Sequence, residues 1–403
     1  MIGMAMKALA LAQEYSELCR KFRRDLHQIP EPELNLPETS QYIQTVLQKY
    51  GIEYKLLLEG NAIVALVKGQ DPNADADHNC LAIRADMDGL PIKEATGLEF
   101  SSKHPGFMHA CGHDSHMAMA LTTAVILSQH PNFFHGTVKF LFQPGEEIPG
   151  GALPMIKEGA MQDPKPNAVI GLHVGNLLEG VKNGQVAFKS GALMAAMDKF
   201  TLTIKGKSGH GANPDRSIDP IVIAAEVILA LQKIVSREIP PVERAVVSVC
   251  KIEGGFTQNI IPDQVVLTGT SRSLNAKVQD LIERRIGEIA QGIAKTYGGS
   301  VELNYERYYP ILNNDKNFTE RVKALAKEMF QDRVITIENP TMGGDDMAYF
   351  LNEVPGTYFF LLNSMTDENG HYYSNHSDHF TIDESSLVTG MAIFLATVED
   401  FLN

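Results

Sequence analysis

The pattern of hydrophobic and polar positions changes character along the chain. In the first 186 residues, and again after residue 302, short apolar runs of strand length alternate with longer segments of helical spacing. The runs that predict buried strands begin near residues 62, 80, 136, 168 and 357. Strands that alternate with helices of this size favour βαβ units, and hence an α/β fold with a mixed, largely parallel sheet flanked by helices.

The stretch between residues 187 and 302 has a different pattern. Residues 199–205 alternate apolar and polar side chains, which is typical of a half-exposed strand. Further strands are predicted at 245–253 and 264–272, and helices at 218–236 and 277–297. This pattern predicts a compact α+β unit inserted into the chain. We therefore expect two domains, one formed by residues 1–186 with 303–403 and the other by residues 187–302.

Composition and charge narrow the class of protein. The 403 residues carry a formal net charge of −14, which argues against a nucleic-acid or anionic-membrane partner. Four scattered cysteines do not suggest a disulfide framework and indicate a reducing compartment. Residues 117–127, taken as the longest apolar stretch, are too short to span a bilayer. The sequence therefore predicts a cytoplasmic protein with no membrane partner.

Cys111 and His113 are the first candidates for chemistry. They stand two residues apart, with a glycine between them, directly before a predicted helix whose N-cap is expected at Asp114 or Ser115. The positive end of that helix favours a thiolate, and a thiolate with a neutral imidazole binds borderline metals well. A buried cysteine and a capping aspartate in an ordinary core helix would give the same pattern, so this stretch alone leaves both interpretations open.

A larger set of soft and borderline groups lies at predicted loops and strand ends. The proposed metal ligands are Cys111, His113, Glu147, His173 and His376. Five ligands exceed the four of a structural zinc and suit two ions that share a ligand. Spacing alone leaves His371 and His379 as alternatives to His376.

Acidic residues next to these candidates have possible roles of their own. In extended backbone Glu146 and Glu147 would point to opposite sides, so that one binds metal while the other faces a bound water. A solvated turn is the alternative. Asp86, at the end of a predicted strand, is expected either to accept a hydrogen bond from a ligating imidazole or to form an ion pair with Arg84. His109 and His116 are expected to be supporting or surface histidines.

Together these residues form motifs that resemble a family of dinuclear-metal amidohydrolases. The family includes hippurate hydrolases, N-acyl-amino-acid amidohydrolases and auxin-conjugate hydrolases, a branch of the aminoacylase-like metallopeptidases with a zinc-peptidase-like catalytic domain. The motifs are RADMDGLP at 84–91, HACGHD at 109–114, FQPGEE at 142–147, GLHV at 171–174, GHGA at 209–212, NIIPD at 259–263, MGGDD at 342–346 and HSDHF at 376–380. They follow the family's order along nearly the whole chain.

The resemblance implies roles that spacing does not supply. It implies a dinuclear site held by the five ligands above, with His376 chosen over its neighbours, and it places Glu146 as the catalytic base with Asp86 among the catalytic residues. It also implies that residues 187–302 form a lid that dimerises with its neighbour. His210 of that lid would reach the partner's active site, and Asn259 and Arg272 would hold the substrate.

The expected reaction is hydrolysis of the amide bond of an N-acyl amino acid, such as an N-benzoyl or N-acetyl one. The expected cofactors are two divalent ions, Zn²⁺ or Mn²⁺, with Ni²⁺ and Co²⁺ also compatible. The alternatives are a dipeptidase or aminoacylase-like peptidase on the same scaffold, or a catalytically silent binding protein. A binding protein has no use for the spare carboxylate of Glu146. The chain departs from the family at Ser115, Asp215, Gly344 and Asp345, none of which is a proposed ligand.

Overall fold

The computed structural model describes residues 2–70, 80–178, 181–367 and 369–403, without the side chains of Ile2 and Met4. The helices are α1 Ile2–Glu14, α2 Ser16–His27, α3 Pro37–Lys49, α4 His113–Gln129, α5 Ala152–Lys157, α6 Pro220–Lys233, α7 Ala276–Thr296, α8 Lys316–Phe330, α9 Met347–Glu353 and α10 Leu387–Leu402. The strands are β1 Glu53–Leu57, β2 Ala62–Lys68, β3 Cys80–Asp86, β4 Thr137–Gln143, β5 Ala168–Val174, β6 Gln185–Phe188, β7 Gly191–Met194, β8 Ala196–Lys205, β9 Gly209–His210, β10 Ala245–Gly254, β11 Ile260–Ile261, β12 Gln264–Ser273, β13 Ser300–Tyr309, β14 Leu312–Asn314, β15 Val334–Thr336 and β16 Gly356–Leu362.

The larger of two compact units comprises Met1–Leu193, Asn313–Thr341 and Asp345–Asn403. Its sheet has the strand order β1-β2-β4-β3-β5-β16-β6-β15. The neighbouring strands β4, β3, β5 and β16 run parallel, whereas β1 with β2, β2 with β4 and β16 with β6 pair antiparallel. Apolar side chains of α2, α4, α8 and α10 share one core cluster with those of the sheet. The predicted mixed, largely parallel sheet flanked by helices is confirmed.

Helix α4 is the core helix of this unit, and its start differs from the prediction. Every residue from His113 to Leu127 is buried, so the helix is covered on all sides. It begins at His113, with Gly112 as N-cap and no side-chain cap. The expected cap at Asp114 or Ser115 is wrong, because the carboxylate of Asp114 instead accepts hydrogen bonds from Arg23 at 2.9 Å and from His27 at 2.8 Å.

Helix α10 has the composition of a membrane span. Among the described residues, the stretch Glu384–Leu402 is the one helical segment long and apolar enough to cross a bilayer, but most of it is buried inside the protein. A buried core helix passes the same test of length and composition. The prediction that residues 117–127 are the longest apolar stretch is therefore wrong, because the apolar segment Glu384–Leu402 is longer.

The smaller unit comprises Met194–Leu312 and Met342–Gly344. Its antiparallel sheet has the order β10-β12-β8-β13, and α6 and α7 contribute apolar side chains to the same core as the sheet. The predicted insertion ended at residue 302. In the structure β13 pairs with β8 along nearly its whole length and extends this unit to Leu312.

Candidate metal centre

Loops and turns at one edge of the large sheet position the five predicted ligands. Cys111 lies in the turn before α4, and His113 is the first residue of that helix. Glu147 follows β4, His173 is the penultimate residue of β5, and His376 lies in the loop before α10. The carboxyl ends of the parallel strands β3, β4 and β5 meet at this edge, which is where sites form in such sheets.

The five side chains form two triads that share a sulfur atom. One triad is Cys111, His113 and His173, and the other is Cys111, Glu147 and His376. Within each triad all potential ligand atoms lie within 4.8 Å of one another. Sγ of Cys111 is 3.3 Å from Nε2 of His173, and Nε2 of His376 is 2.8 Å from Oε1 of Glu147. This arrangement offers two adjacent cation sites with one common ligand.

Hydrogen bonds to the backbone orient two of the imidazoles. Nδ1 of His113 lies 2.9 Å from the main-chain oxygen of Asp88, and Nδ1 of His173 lies 2.7 Å from that of Val174. Because carbonyl oxygens only accept, each Nδ1 carries a proton, and in the neutral ring each Nε2 presents a lone pair to a metal. Nε2 of His113 is buried and has no hydrogen-bond partner among the described residues. An orphaned imidazole nitrogen beside a thiol and a carboxylate fits a divalent cation.

The electrostatics of the ligands require a cation to displace protons. Burial, together with the carboxylates of Glu147 and Glu146, raises the pKa of Cys111 well above its usual value. This direction is opposite to the expected effect of the helix N-terminus, and a bound cation would favour the thiolate. Burial lowers the pKa of His113, but Asp86 and other nearby acids outweigh burial and raise it to about 10. Metal binding at such a site releases protons.

Asp88 anchors the turn that carries the adjacent glutamates. Its carboxylate accepts hydrogen bonds from the main-chain N–H of Glu146 at 2.8 Å and from that of Glu147 at 3.1 Å. The segment is a turn and not extended backbone, so the predicted opposite orientation of the two side chains is wrong. Both carboxylates instead approach His113, with which they form a third group of potential ligand atoms within 4.8 Å.

Asp86 holds an imidazole, but one that lies outside the predicted ligand set. Its Oδ1 is 2.5 Å from Nδ1 of His116, whereas Oδ2 is 3.7 Å from Nε2 of His113. Nε2 of His116 accepts a hydrogen bond from the main-chain N–H of Val174, beside His173. His116 is therefore a buried supporting residue that joins β3 to β5. The expected ion pair of Asp86 with Arg84 is also present, at 2.6 Å.

A buried cluster of carboxylates behind Glu146 was missed by the sequence analysis. One oxygen of Asp346 lies 2.8 Å from Arg84, and Asp345, Asp346 and Glu146 place oxygens within 4.8 Å of one another. Burial and the neighbouring Asp345 raise the pKa of Asp346 to about 7, although Arg84 opposes this. Burial and the same acids raise the pKa of Glu146 well above its usual value. Only a signal linking residues 84, 146 and 346 across the chain could have found this cluster.

Comparison with known proteins identifies the family. Residues 82–400 match the profile of Peptidase family M20/M25/M40. The chain belongs to this family. The resemblance stated from the motifs is thus confirmed, and the chain is an enzyme of the metal-dependent amidohydrolase type found in it.

Two relatives and one solved structure show the range of this M20/M25/M40 family. The N-acetylcysteine deacetylase of Bacillus subtilis (strain 168) is 36% identical over 373 residues, covering 92% of this chain and 93% of that protein. Thermostable carboxypeptidase 1 of Saccharolobus solfataricus is 36% identical over 385 residues, covering 94% of each. The Bacillus subtilis YXEP protein, described as a dinuclear metal binding peptidase from the M20 family, superposes with a TM-score of 0.81 at 32% identity, covering 97% of this chain and 99% of that one.

The smaller unit of this member of the M20/M25/M40 family carries the predicted substrate-binding residues. His210 in β9 pairs with Ile260 in β11, and the main-chain N–H of Gly211 donates to the oxygen of Asn259 at 2.9 Å, so His210 and Asn259 lie close together. Nδ1 of His210 accepts from the N–H of Ala212 at 3.1 Å, which leaves the proton on Nε2 as an exposed donor. Arg272 is half-buried in β12.

The three candidate histidines near the C-terminus separate clearly in the structure. His376 faces Glu147 and Cys111, as described above. The side chain of His371 is 81% exposed and lies 3.4 Å from Asp367. His379 bonds to Asp378 at 2.7 Å and stacks on Tyr373. Among these three, geometry brings His376 alone to the other ligands.

Proposed function

We propose that this chain hydrolyses the amide bond of N-acyl L-amino acids, with two divalent ions held by Cys111, His113, Glu147, His173 and His376. The observation that carries the proposal is the pair of triads sharing Cys111, with the carboxylate of Glu146 beside both but a member of neither. A site that only stores metal needs no such additional carboxylate. The thiolate and imidazoles suit Zn²⁺, and Mn²⁺, Co²⁺ and Ni²⁺ belong in the same test.

Glu146 is the proton carrier in this proposal. Divalent ions bound at the triads would lower the pKa of a water molecule and polarise the amide carbonyl. Glu146 takes a proton from the attacking water and delivers it to the amide nitrogen as the C–N bond breaks, which gives an acid and an amine. Its raised pKa suits the second step, and the positive charge of bound cations favours the carboxylate needed for the first.

A cavity of about 620 Å³ beside Glu147 and His376 supports an acyl group as its occupant. Its walls include the apolar side chains of Leu90, Phe107 and Ile148. Among the residues that the structure describes, no lysine or arginine lines this cavity, so it offers a substrate carboxylate no basic side chain to pair with. The acyl part of an N-acyl amino acid therefore suits this cavity, whose size is typical of ligand pockets.

In this proposal, residues of the smaller unit bind the carboxylate of the substrate. Arg272 suits bidentate binding of a carboxylate, and Asn259 with the Nε2–H of His210 suits a carbonyl or developing oxyanion. We place these groups in the active site of a second copy. Supporting features are the edge of β10 that pairs with no other strand in the described part of the chain, and the apolar side chains of Ile252, 61% exposed, and Leu229, 71% exposed.

A dipeptidase or carboxypeptidase activity is the second candidate. One relative is named a thermostable carboxypeptidase, and Glu33 at the cavity described above is an exposed carboxylate that could receive the α-ammonium group of a peptide. A Glu33→Gln variant should weaken cleavage of dipeptides only. Unchanged hydrolysis of N-acyl substrates by that variant would separate the two candidates.

The deciding experiment is turnover of the metal-stripped protein after Zn²⁺, Mn²⁺, Co²⁺ or Ni²⁺ is added back. The substrates are N-benzoyl, N-acetyl and N-succinyl derivatives of one amino acid, with dipeptides in parallel. We expect metal-restored hydrolysis that is fastest for benzoyl and slowest for the anionic succinyl group. Glu146→Gln should bind metal yet lose turnover, whereas the exposed control Glu353→Gln should keep it. Retained turnover in Glu146→Gln, or none with any metal, would overturn the proposal.

A further inference from the structure

Asn375 immediately precedes the proposed ligand His376, and its side chain reaches two other ligand-bearing segments. Its Nδ2 lies 3.1 Å from the main-chain oxygen of Cys111 and 3.2 Å from that of Val174, the residue after His173. Because carbonyl oxygens only accept, the nitrogen and not the oxygen of the amide must face them. One side chain thus joins the turn that carries Cys111 to the end of β5.

The same amide also approaches the sulfur shared by the two triads. Nδ2 of Asn375 is 3.9 Å from Sγ of Cys111, within the range of an N–H···S contact. The loop is fastened beside this point as well, because the main-chain N–H of His376 donates to the oxygen of Ala110 at 2.8 Å. Asn375 therefore contacts or adjoins the segments that supply Cys111, His173 and His376.

The glycine directly after β5 makes room for this side chain. Gly175 has φ of +101°, and a Cβ atom there would lie 2.2 Å from Oδ1 of Asn375. Any larger residue at position 175 would have to displace the amide. The side chain of Asn375 therefore fits in this position because residue 175 is a glycine.

We propose that Asn375 is a positioning residue of the metal centre, which fixes the separation of Cys111, His173 and His376 and directs an N–H group towards the shared sulfur. The inference rests on the proposed two-ion centre but concerns metal affinity and not turnover. Outer partners that orient metal ligands typically contribute a factor of roughly 10–100 in affinity.

The test uses the full chain, stripped of metal, with Zn²⁺ titrated against a chromophoric chelator. In Asn375→Asp the shape is kept, but an oxygen replaces the donor and faces two carbonyl oxygens. In Asn375→Ala the amide is removed without that repulsion, and in Gly175→Ala the amide is displaced. We expect each variant to bind Zn²⁺ roughly 10–100-fold more weakly. The matched control Asn352→Asp, which makes the same change at an exposed site on α9, should bind as the parent does.

The Co²⁺-substituted protein supplies a second readout. Its near-ultraviolet absorption from the sulfur–cobalt bond should shift in Asn375→Ala, because the N–H near the sulfur is lost, whereas a purely structural role would leave it unchanged. Equal Zn²⁺ affinity and an equal cobalt spectrum in Asn375→Ala and the parent would refute this role while leaving the two-ion centre intact. A parent that binds no divalent ion would refute the centre, and this inference with it. A loss in Asn352→Asp as large as that in Asn375→Asp would also overturn it.

Discussion

Oδ1 of Asp88 accepts a hydrogen bond from the main-chain N–H of Glu146 at 2.8 Å. The proposed proton carrier is thereby held by a residue that lies two positions after the end of β3, and not by the segment that follows its own strand, β4. The main-chain oxygen of the same aspartate orients His113. A single residue at the sheet edge thus sets the position of both the proton carrier and a proposed ligand.

Asp88→Asn should lower kcat roughly 10–100-fold. The carboxylate accepts from the main-chain N–H groups of Glu146 and Glu147, and in the variant one of these would face the NH₂ group of asparagine, which cannot accept a hydrogen bond. Circular dichroism should show a folded protein, and KM should change much less than kcat. Asp383→Asn is the matched control, since Asp383 also accepts from a backbone N–H, that of Ser385, in a turn that carries none of the proposed catalytic groups. A variant with the parent's kcat would show that the anchoring is dispensable.

Cys111 is the one ligand common to both triads, so its loss should affect both ions. Cys111→Ser should weaken metal binding by more than the roughly 10–100-fold that loss of an outer partner costs, because a hydroxyl is a far poorer ligand than a thiolate. Metal content after gel filtration and Zn²⁺ titration measure this effect. Cys250→Ser, at an exposed cysteine, should retain two ions. Loss of only one ion in Cys111→Ser would argue against a shared ligand.

Local pattern was sufficient for the elements that carry the site. The apolar run predicted to form a strand from residue 168 is β5, which carries His173. Polar side chains after buried strands correctly indicated the edge at which ligands would meet. The inference is general because the carboxyl ends of neighbouring parallel strands meet at one edge of the sheet.

Long-range contacts account for what local pattern could not predict. Asp114 does not cap the helix because its carboxylate accepts hydrogen bonds from Arg23 and His27, about ninety positions earlier in the sequence. Strand β13 was missed because its alternation includes charged residues on the exposed face. Asn375 has no local signal at all, since both carbonyl oxygens that it bonds come from elements formed much earlier in the chain.

His109 should make the metal-free protein sensitive to acid. It is 1% exposed, and neither ring nitrogen has a hydrogen-bond partner among the described residues. Burial is the largest of the effects that lower the pKa of His109 to about 3 from 6.5. The unfolded chain therefore takes up this proton first as the pH falls below 6.5. The stability contribution of the neutral imidazole is present above pH 6.5 and is lost as the pH falls towards 3.

Replacing the buried imidazole of His109 should make the stability of the metal-free protein depend less on pH. Between pH 6.5 and 4, the unfolding free energy of His109→Gln should fall less steeply than that of the parent, by up to about 1.4 kcal/mol per pH unit. Urea unfolding in the presence of a chelator measures it. His371→Gln replaces an exposed imidazole and should follow the parent's curve. Parallel curves for His109→Gln and the parent would show that His109 is protonated equally in both states.

The proposed action of His210 in a partner's active site has a sharp test in mixed dimers. Glu146→Gln and His210→Ala homodimers should each be nearly inactive, because every site lacks one of the two groups. In a mixed dimer, one site combines the Glu146 of one chain with the His210 of the other and is complete. Since random exchange makes half of the dimers mixed, activity should return to about a quarter of the parent's.

If activity does not return although chain exchange is verified independently, His210 does not act in the partner's active site. Exchange is followed with two differently tagged variants, and the recovered activity should scale with the fraction of mixed dimers. If His210 acted on its own chain, each chain of a mixed dimer would keep its own defect and no activity would return. A His210→Ala homodimer with the parent's turnover would instead remove His210 from the reaction. Recovery near a quarter is the outcome that requires an active site completed by the His210 side chain of the other chain.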